Sequence, residues 1–164
     1  DAPTARDLLS KRYHTISEDQ RLRDAFAIQL TPGATTEGEH TFVVTHPDGS
    51  YAGLLSQRRF LTGLFGNWNL DVPSTDGELE AALRDRLEVT VADVMERNRP
   101  HAAPDTPLPE LITLMVEPEF ECLPVLERDA ILGVVYVADV FRTAAALALT
   151  PETSGIRVQK HEGE

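Results

Sequence analysis

The sequence predicts an α/β (α+β) fold made of two similar halves, and three observations favour this prediction. TARDLL at Thr4–Leu9 recurs as TVADVM at Thr90–Met95, an offset of 86 residues, and Gly53 later matches Gly133 at an offset of 80. Each half alternates helix-like and strand-like patterns in the same order. With 41% hydrophobic residues, the 164-residue chain can also bury a core.

The first half predicts a turn, a strand, a helix and a hairpin. Ser17–Gln20 has the capping-box pattern that begins a helix, and apolar residues then recur at helical spacing as far as Leu30. The insertion Thr31–His40 follows. Thr41–Thr45 and Ser50–Leu55 flank a Pro-Asp-Gly turn, which is typical of a β-hairpin.

The second half repeats these elements after a linker. Thr106 and Pro107 are suited to begin a helix, and Cys122–Leu126 and Ala130–Val135 predict a second hairpin. The linker contains another capping box, Thr75–Glu78, followed by leucines four residues apart. We therefore expect a first repeat at 1–66, a linker with a short helix at 67–89, a second repeat at 90–150 and a polar tail at 151–164.

Composition narrows the possible partners and the compartment. A net charge of −12 and a pI of about 4.8 disfavour binding to nucleic acid or to anionic membrane. No apolar run approaches the roughly 20 residues of a membrane helix, so we expect no membrane insertion. The single cysteine, Cys122, excludes an internal disulfide and favours the cytoplasm. The chain begins at Asp1 without Met, which is compatible with excision from a longer protein.

Motifs for catalysis or metal binding do not emerge. The five histidines show no pair at metal-ligand spacing, so no metal site is expected. No Ser/His/Asp order or glycine-rich phosphate loop is present either. The sequence therefore predicts a protein without enzymatic activity.

The order of the motifs resembles a tandem cystathionine-β-synthase (CBS) domain pair, also called a Bateman module. The residues that carry the resemblance are VADVM at Val91–Met95, PDTPL at Pro104–Leu108 and the Leu-Pro-Val run Leu123–Val125. The resemblance covers about Thr4–Leu149. The first half is recognised chiefly because it repeats the second half. The resemblance implies two β-α-β-β-α repeats packed as a pseudo-twofold module, with a cleft for each half between them.

The resemblance also implies a binding site for an adenosine nucleotide. In the family motif G-h-x-T/S-x-x-D, where h is apolar, the aspartate binds the ribose and the hydroxyl residue lies by the phosphates. Asp139 takes the ribose position, but the hydroxyl position holds Tyr136; the first half keeps Ser56 but has Arg59 in place of the aspartate. The family pattern assigns Ala102, Ala103, Leu123, Pro124, Tyr136 and Asp139 to the second-half cleft, and Ile16, Ser17, Val43, Ser56 and Arg59 to the first-half cleft.

These site residues leave alternatives open. Asp139 at a helix start stabilises the helix dipole by about 0.3–1 kcal/mol with or without a ligand. Tyr136 either fills its cleft or stacks on a base, and Arg58 with Arg59 either grips phosphate or forms a solvated helix start.

By resemblance, the function is that of a non-catalytic regulatory module that needs no cofactor. It would sense AMP, ADP, ATP or S-adenosylmethionine, and form a homodimer through Phe60–Phe65 and Val140–Leu149. The alternative is a dimerisation or structural module with decayed nucleotide sites, including one attached to a longer enzyme or transporter.

Overall fold

The computed structural model describes residues 2–31, 40–65, 73–116 and 121–149. Most of the insertion Thr31–His40 and the whole predicted tail at 151–164 lie outside these ranges. None of the helices in the described ranges combines the length and the apolarity needed to cross a membrane.

Helices and strands follow the repeated order that the sequence predicts, and this confirms the α/β fold. The first half and the linker contain α1 (Ala5–Leu8), β1 (His14–Ser17), α2 (Leu22–Leu30), β2 (Phe42–Thr45), β3 (Tyr51–Leu55), α3 (Gln57–Phe65) and α4 (Asp76–Arg86). The second half contains α5 (Val91–Val94), β4 (Glu96–Arg97), α6 (Leu108–Val116), β5 (Cys122–Glu127), β6 (Ala130–Tyr136) and α7 (Val137–Ala148).

The strands form two sheets of the same design. In the first sheet β1 runs parallel to β2, and β2, β3 and β4 follow as antiparallel neighbours. In the second sheet β5 and β6 are antiparallel, and two single bridges flank them. Ala102 bridges Val125 in parallel and Ser10 bridges Val134 in antiparallel fashion, so they stand where β1 and β4 stand in the first sheet.

The two halves exchange their opening segments, so that the opening segment of each half packs against the other half. The strand β4 belongs to the second half in sequence but pairs with β3, and Ser10 of the first half pairs with β6. Ala5 of α1 is buried in the core of the second half. Val91 and Val94 of α5 are buried in the core of the first half. Each hydrophobic core is therefore completed by residues from the other half.

A pair of glycines lies where the exchanged segments cross the hairpins. A Cβ atom on Gly53 would lie 2.2 Å from the carbonyl oxygen of Glu96, and one on Gly133 would lie 2.6 Å from that of Ser10. Backbone oxygens cannot turn aside as a flexible side chain can. The two contacts are equivalent, because Glu96 matches Ser10 and Gly133 matches Gly53 in the repeat.

The two sheets meet through the faces that point away from the helices. Val43, Leu54, Cys122 and Val134 form a buried cluster between them, called here the inter-sheet cluster. Side chains alternate across a strand, so the neighbours of these residues point to the helix-covered cores on the outer faces. Partly buried hydrophobic side chains surround the cluster: Tyr13, Tyr51, Ile131 and Tyr136.

Two helices begin later than their capping patterns predict. The Ser17 amide donates to Gln20 Oε1 at 2.9 Å, as in a capping box, but this bond closes a turn and α2 begins only at Leu22. The cause is a β-bridge from Arg21 to Thr90, which keeps the chain extended before the helix. The predicted helix start at Ser17 is therefore wrong.

The matching bridge delays the helix in the second half. Pro107 bridges Thr4, and α6 begins at Leu108. Thr106 Oγ1 accepts from the Ala103 amide at 2.9 Å instead of capping the helix. The prediction that Thr106 caps this helix is therefore also wrong.

The carboxylate of Glu18 joins three segments at one end of the first sheet. Its two oxygens contact His46 Nδ1 and Arg97 Nη2, each at 2.6 Å. His46 follows β2, and Arg97 belongs to the exchanged strand β4. The hydrogen bonds from Arg97 and His46 lower the pKa of Glu18 below its ordinary value of 4.5.

Replacing Glu18 should change how stability depends on pH. Because the folded pKa is lowered, Glu18 stabilises the fold above about pH 4.5, and this contribution is lost as the pH falls through the folded pKa. We expect Glu18→Gln to be less stable than the wild type at pH 6, with the difference shrinking towards pH 3. Urea unfolding across this range measures it. A difference that stays constant with pH would contradict this role of the charge.

The crossing glycines provide a test of the exchange. Gly133→Ala should lower the free energy of unfolding by about 1–3 kcal/mol, because the new methyl group meets a fixed carbonyl. The matched control is Gly77→Ala in α4, where a Cβ would meet nothing within 4 Å. We expect this control to leave stability unchanged or to raise it by up to about 1 kcal/mol. Urea unfolding of both variants compares them, and equal effects would contradict the close contact.

Candidate functional site

The six residues predicted for the second-half cleft lie along one stretch of the second sheet. The Ala102 amide donates to the Pro124 carbonyl at 2.9 Å, which places Ala102 and Ala103 beside the middle of β5. Near the start of β5, Leu123 pairs with Val135, next to Tyr136 at the end of β6. Asp139 follows in the first turn of α7.

The two ends of this stretch are well separated. Ala102 bridges Val125, whereas Tyr136 pairs with Cys122, three residues away on β5. At about 3.3 Å per residue, the two ends lie about 10 Å apart along the strand. A single ligand has to be elongated to touch both ends. The side chains of Ala102 and Leu123 lie in the core of the second half, so they offer backbone atoms to a ligand.

Tyr136 points between the two halves. Its ring packs against the inter-sheet cluster, and its hydroxyl donates to the carbonyl oxygen of Arg12. Arg12 lies in the segment that connects α1 to β1. Sequence reasoning missed Arg12 because it acts through its backbone, which carries no sequence signal.

Asp139 offers a carboxylate at the beginning of a 12-residue helix. Its side chain is 31% exposed and accepts a hydrogen bond from Arg142 one turn later. Arg142 itself is largely exposed, and surface ion pairs of this kind contribute about 0–1 kcal/mol. The carboxylate can therefore exchange this partner for a ligand at small cost.

The residues predicted for the first-half cleft are also divided. Ile16 is buried in the core of the first half, and Val43 belongs to the inter-sheet cluster. Ser17 lies at the end of β1, whereas Ser56 follows β3 at the opposite end of the sheet, because β3 runs antiparallel to its neighbours. The structure brings Ser56 together with Arg59 but not with Ser17.

Ser56 and Arg59 make structural contacts. Ser56 Oγ accepts from the Arg59 amide at 3.1 Å and so caps α3. Arg59 Nε donates to the carbonyl oxygen of Val94 at 2.7 Å, at the end of α5. The guanidinium therefore holds the exchanged helix of the second half against α3. Only long-range packing creates this bond, so the sequence did not indicate it.

The other titratable groups of the described ranges include neither a metal-binding cluster nor a reactive thiol. Within the described ranges, no cluster of three or more His, Cys, Asp or Glu could hold a metal ion. Burial raises the pKa of the Cys122 thiol to about 12, so the thiolate nucleophile is scarce at neutral pH.

An apolar groove of about 920 Å³ lies elsewhere, between α2, α3 and α4. Phe26, Phe60 and Leu83 are among its lining side chains, and none of the predicted ligand residues contributes to it. The ring nitrogen Nδ1 of His40, which also lines the groove, is buried without a hydrogen-bond partner among the described residues. Sequence reasoning missed the groove because its helical stripes have the pattern of an ordinary core.

Comparison with known proteins agrees with this architecture. Residues 91–146 match the CBS domain family. No curated protein matches the sequence.

Solved structures share the fold over most of the chain. CBSX2 from Arabidopsis thaliana is 19% identical with a TM-score of 0.68, over 90% of this chain and 97% of that one. CBSX2 in complex with AMP gives 20% identity and a TM-score of 0.63, over 88% and 97%. The cytosolic domain of the Mg²⁺ channel MgtE in complex with ATP is 21% identical with a TM-score of 0.64, over 85% of this chain.

The chain spans 48% of that MgtE structure and 49% of the soluble part of a magnesium transporter. It spans nearly all of the CBSX2 structures, which are CBS-pair proteins. Residues 91–146 therefore belong to the CBS domain family, and the chain as a whole has the fold of a tandem CBS-domain protein.

Proposed function

We propose that the chain is a non-catalytic regulatory module that senses an adenosine nucleotide or a related adenosyl ligand in a cleft between its repeats. AMP, ADP, ATP and S-adenosylmethionine are the candidate ligands. The observation that carries the proposal is the position of Asp139, a partly exposed carboxylate in the first turn of α7, directly after β6.

The chemistry of this position suits a nucleoside. A carboxylate offers two acceptor oxygens, which match the two hydroxyls of a ribose. The amides at the start of α7 favour a negative group nearby, such as a phosphate. Ala102 bridges Val125, about 10 Å along β5 from the partner of Tyr136, and adds a second contact region for an elongated ligand.

The comparisons support this class of ligand without naming the one for this chain. Two structures with the same fold were solved with AMP and with ATP. The eleven site residues stay a prediction, as do the domain boundaries at 1–66, 67–89 and 90–150. We also propose a cytoplasmic location, for which the single buried thiol, Cys122, is the support.

We further propose that the module forms a homodimer through its helices. Phe141 and Leu147 on α7 are 74% and 64% exposed, and Leu61 on α3 is also exposed. A second copy would cover this apolar surface symmetrically. The alternative is a dimerisation module with decayed nucleotide sites, including one that serves a longer enzyme or transporter. The same apolar surface would then be its functional surface.

Ligand sensing predicts a shift in thermal unfolding. A ligand at about 100 times its dissociation constant stabilises the folded state by about 2.7 kcal/mol. At roughly 2–4 °C per kcal/mol, the midpoint should rise by about 5–10 °C with one adenosyl compound. Scanning fluorimetry with AMP, ADP, ATP and S-adenosylmethionine measures the shift. Asp139→Asn should abolish it.

The matched control for Asp139 is Asp85→Asn, which removes an exposed aspartate from α4. This control should keep the full ligand shift. No shift with any compound at millimolar concentration would overturn the sensing proposal and favour the dimerisation alternative. An equal shift in Asp139→Asn and the wild type would remove Asp139 from the site.

Dimerisation predicts that a charge on α7 separates the copies. Phe141→Glu should convert a dimer to a monomer, because the new carboxylate would be desolvated at the interface. The control is Leu30→Glu on α2, a site that is 82% exposed on a different helix. Sedimentation velocity measures both. A wild-type monomer, or a dimer unaffected by Phe141→Glu, would contradict this interface.

A further inference from the structure

We infer that Tyr136 closes the second-half cleft and that its side chain must move before an adenosine nucleotide can reach Asp139. The inference rests on the proposed function for the class of ligand. It makes the two clefts unequal, although the fold repeats, and it links occupancy of the second cleft to a segment of the first half.

The position of Tyr136 follows from the pleat of β6. Tyr136 pairs with Cys122, and Val134, two residues earlier, belongs to the inter-sheet cluster. Side chains two residues apart on a strand point to the same face. The ring therefore lies between the halves, where it packs against the inter-sheet cluster. Asp139 follows after only two further residues, in the first turn of α7.

The tyrosine hydroxyl completes a series of bonds between β6 and the segment from Ser10 to Tyr13. The backbones of Ser10 and Val134 exchange two hydrogen bonds, of 2.8 and 3.0 Å. The Lys11 ammonium donates to the carbonyl of Leu132. The Tyr136 hydroxyl then donates to the Arg12 carbonyl, so the ring spans from the end of β6 to this crossing segment.

The matching position in the first half is built differently. Ser56 is too short to span between the halves, and its hydroxyl caps α3 through the Arg59 amide. A ring is thus present at one cleft and replaced by a small side chain at the other. The difference lies in the residue itself, because the surrounding strands repeat.

Entry of a nucleotide into the second cleft has a defined local consequence. The Tyr136 ring must rotate away from the crossing segment, which removes the hydrogen bond to the Arg12 carbonyl. The segment connects α1, which packs in the second half, to β1 in the first sheet. Loosening the crossing segment therefore alters the connection between the two repeats. This change in the connection would be the signal that a nucleotide has bound.

The first test measures the bond without any ligand. Tyr136→Phe keeps the ring but removes the hydroxyl, and hydrogen exchange of the amides at residues 11–13 should become roughly fivefold faster. The matched control is Tyr51→Phe, since the buried Tyr51 hydroxyl has no hydrogen-bond partner among the described residues. This control should leave that exchange unchanged. Unchanged exchange in Tyr136→Phe would show that the hydroxyl does not hold the segment.

The second test measures closure by calorimetric titration with AMP. Tyr136→Thr opens the cleft and should bind AMP at least tenfold more tightly than the wild type. The double variant Tyr136→Thr with Asp139→Asn should lose this gain. If the wild type binds AMP and Tyr136→Thr binds it no more tightly, the inference that Tyr136 closes the cleft is wrong, whereas the proposed sensing function is supported. Binding by Tyr136→Thr alone supports the closure and contradicts sensing of AMP by the natural chain. If neither protein binds AMP, the titration is repeated with ADP, ATP and S-adenosylmethionine, and both ideas fall if neither protein binds any of the four.

Discussion

The close approach of each exchanged segment to a glycine is the constraint on which the rest of the fold depends. At Gly53 and Gly133 the opening segment of one half passes over the hairpin of the other at a distance that admits no side chain. That approach brings α1 and α5 into the opposite cores and places β4 and Ser10 at the sheet edges. The halves are therefore joined by shared cores as well as by the inter-sheet cluster.

Local patterns in the sequence were sufficient for the order of the elements. The repeat, the two hairpins and the helix after Thr75 could be predicted, because turn residues and apolar spacing act over a few positions. The starts of α2 and α6 could not. Arg21 and Pro107 are held extended by bridges to Thr90 and Thr4, and such distant partners overrule a local capping pattern.

The candidate site shows the same division between local and long-range information. The family motif G-h-x-T/S-x-x-D placed Asp139 at a strand-to-helix junction, where the structure has it. The motif did not reveal that Arg59 bonds the end of α5 or that Tyr136 bonds the Arg12 carbonyl, because both acceptors are backbone oxygens from distant segments. The apolar groove was hidden for a related reason, since a stripe of leucines and phenylalanines predicts burial without saying whether the space above it is filled.

If a nucleotide binds as proposed, its binding and the joining of the halves would compete for the same side chains. Tyr136 takes the hydroxyl position of the second-half cleft, and it already bonds the Arg12 carbonyl of the crossing segment. Arg59 takes the aspartate position of the first-half cleft, and it already bonds the Val94 carbonyl of the exchanged helix α5. A ligand shifts a conformational equilibrium only by its difference in affinity for the two states. A nucleotide that needs Tyr136 displaced would bind the loosened form and reject the closed one, and that difference is what can turn binding into a signal. With a smaller residue at position 136, the cleft would bind its ligand without losing a hydrogen bond between the halves. That binding would, however, leave the connection between the repeats unchanged.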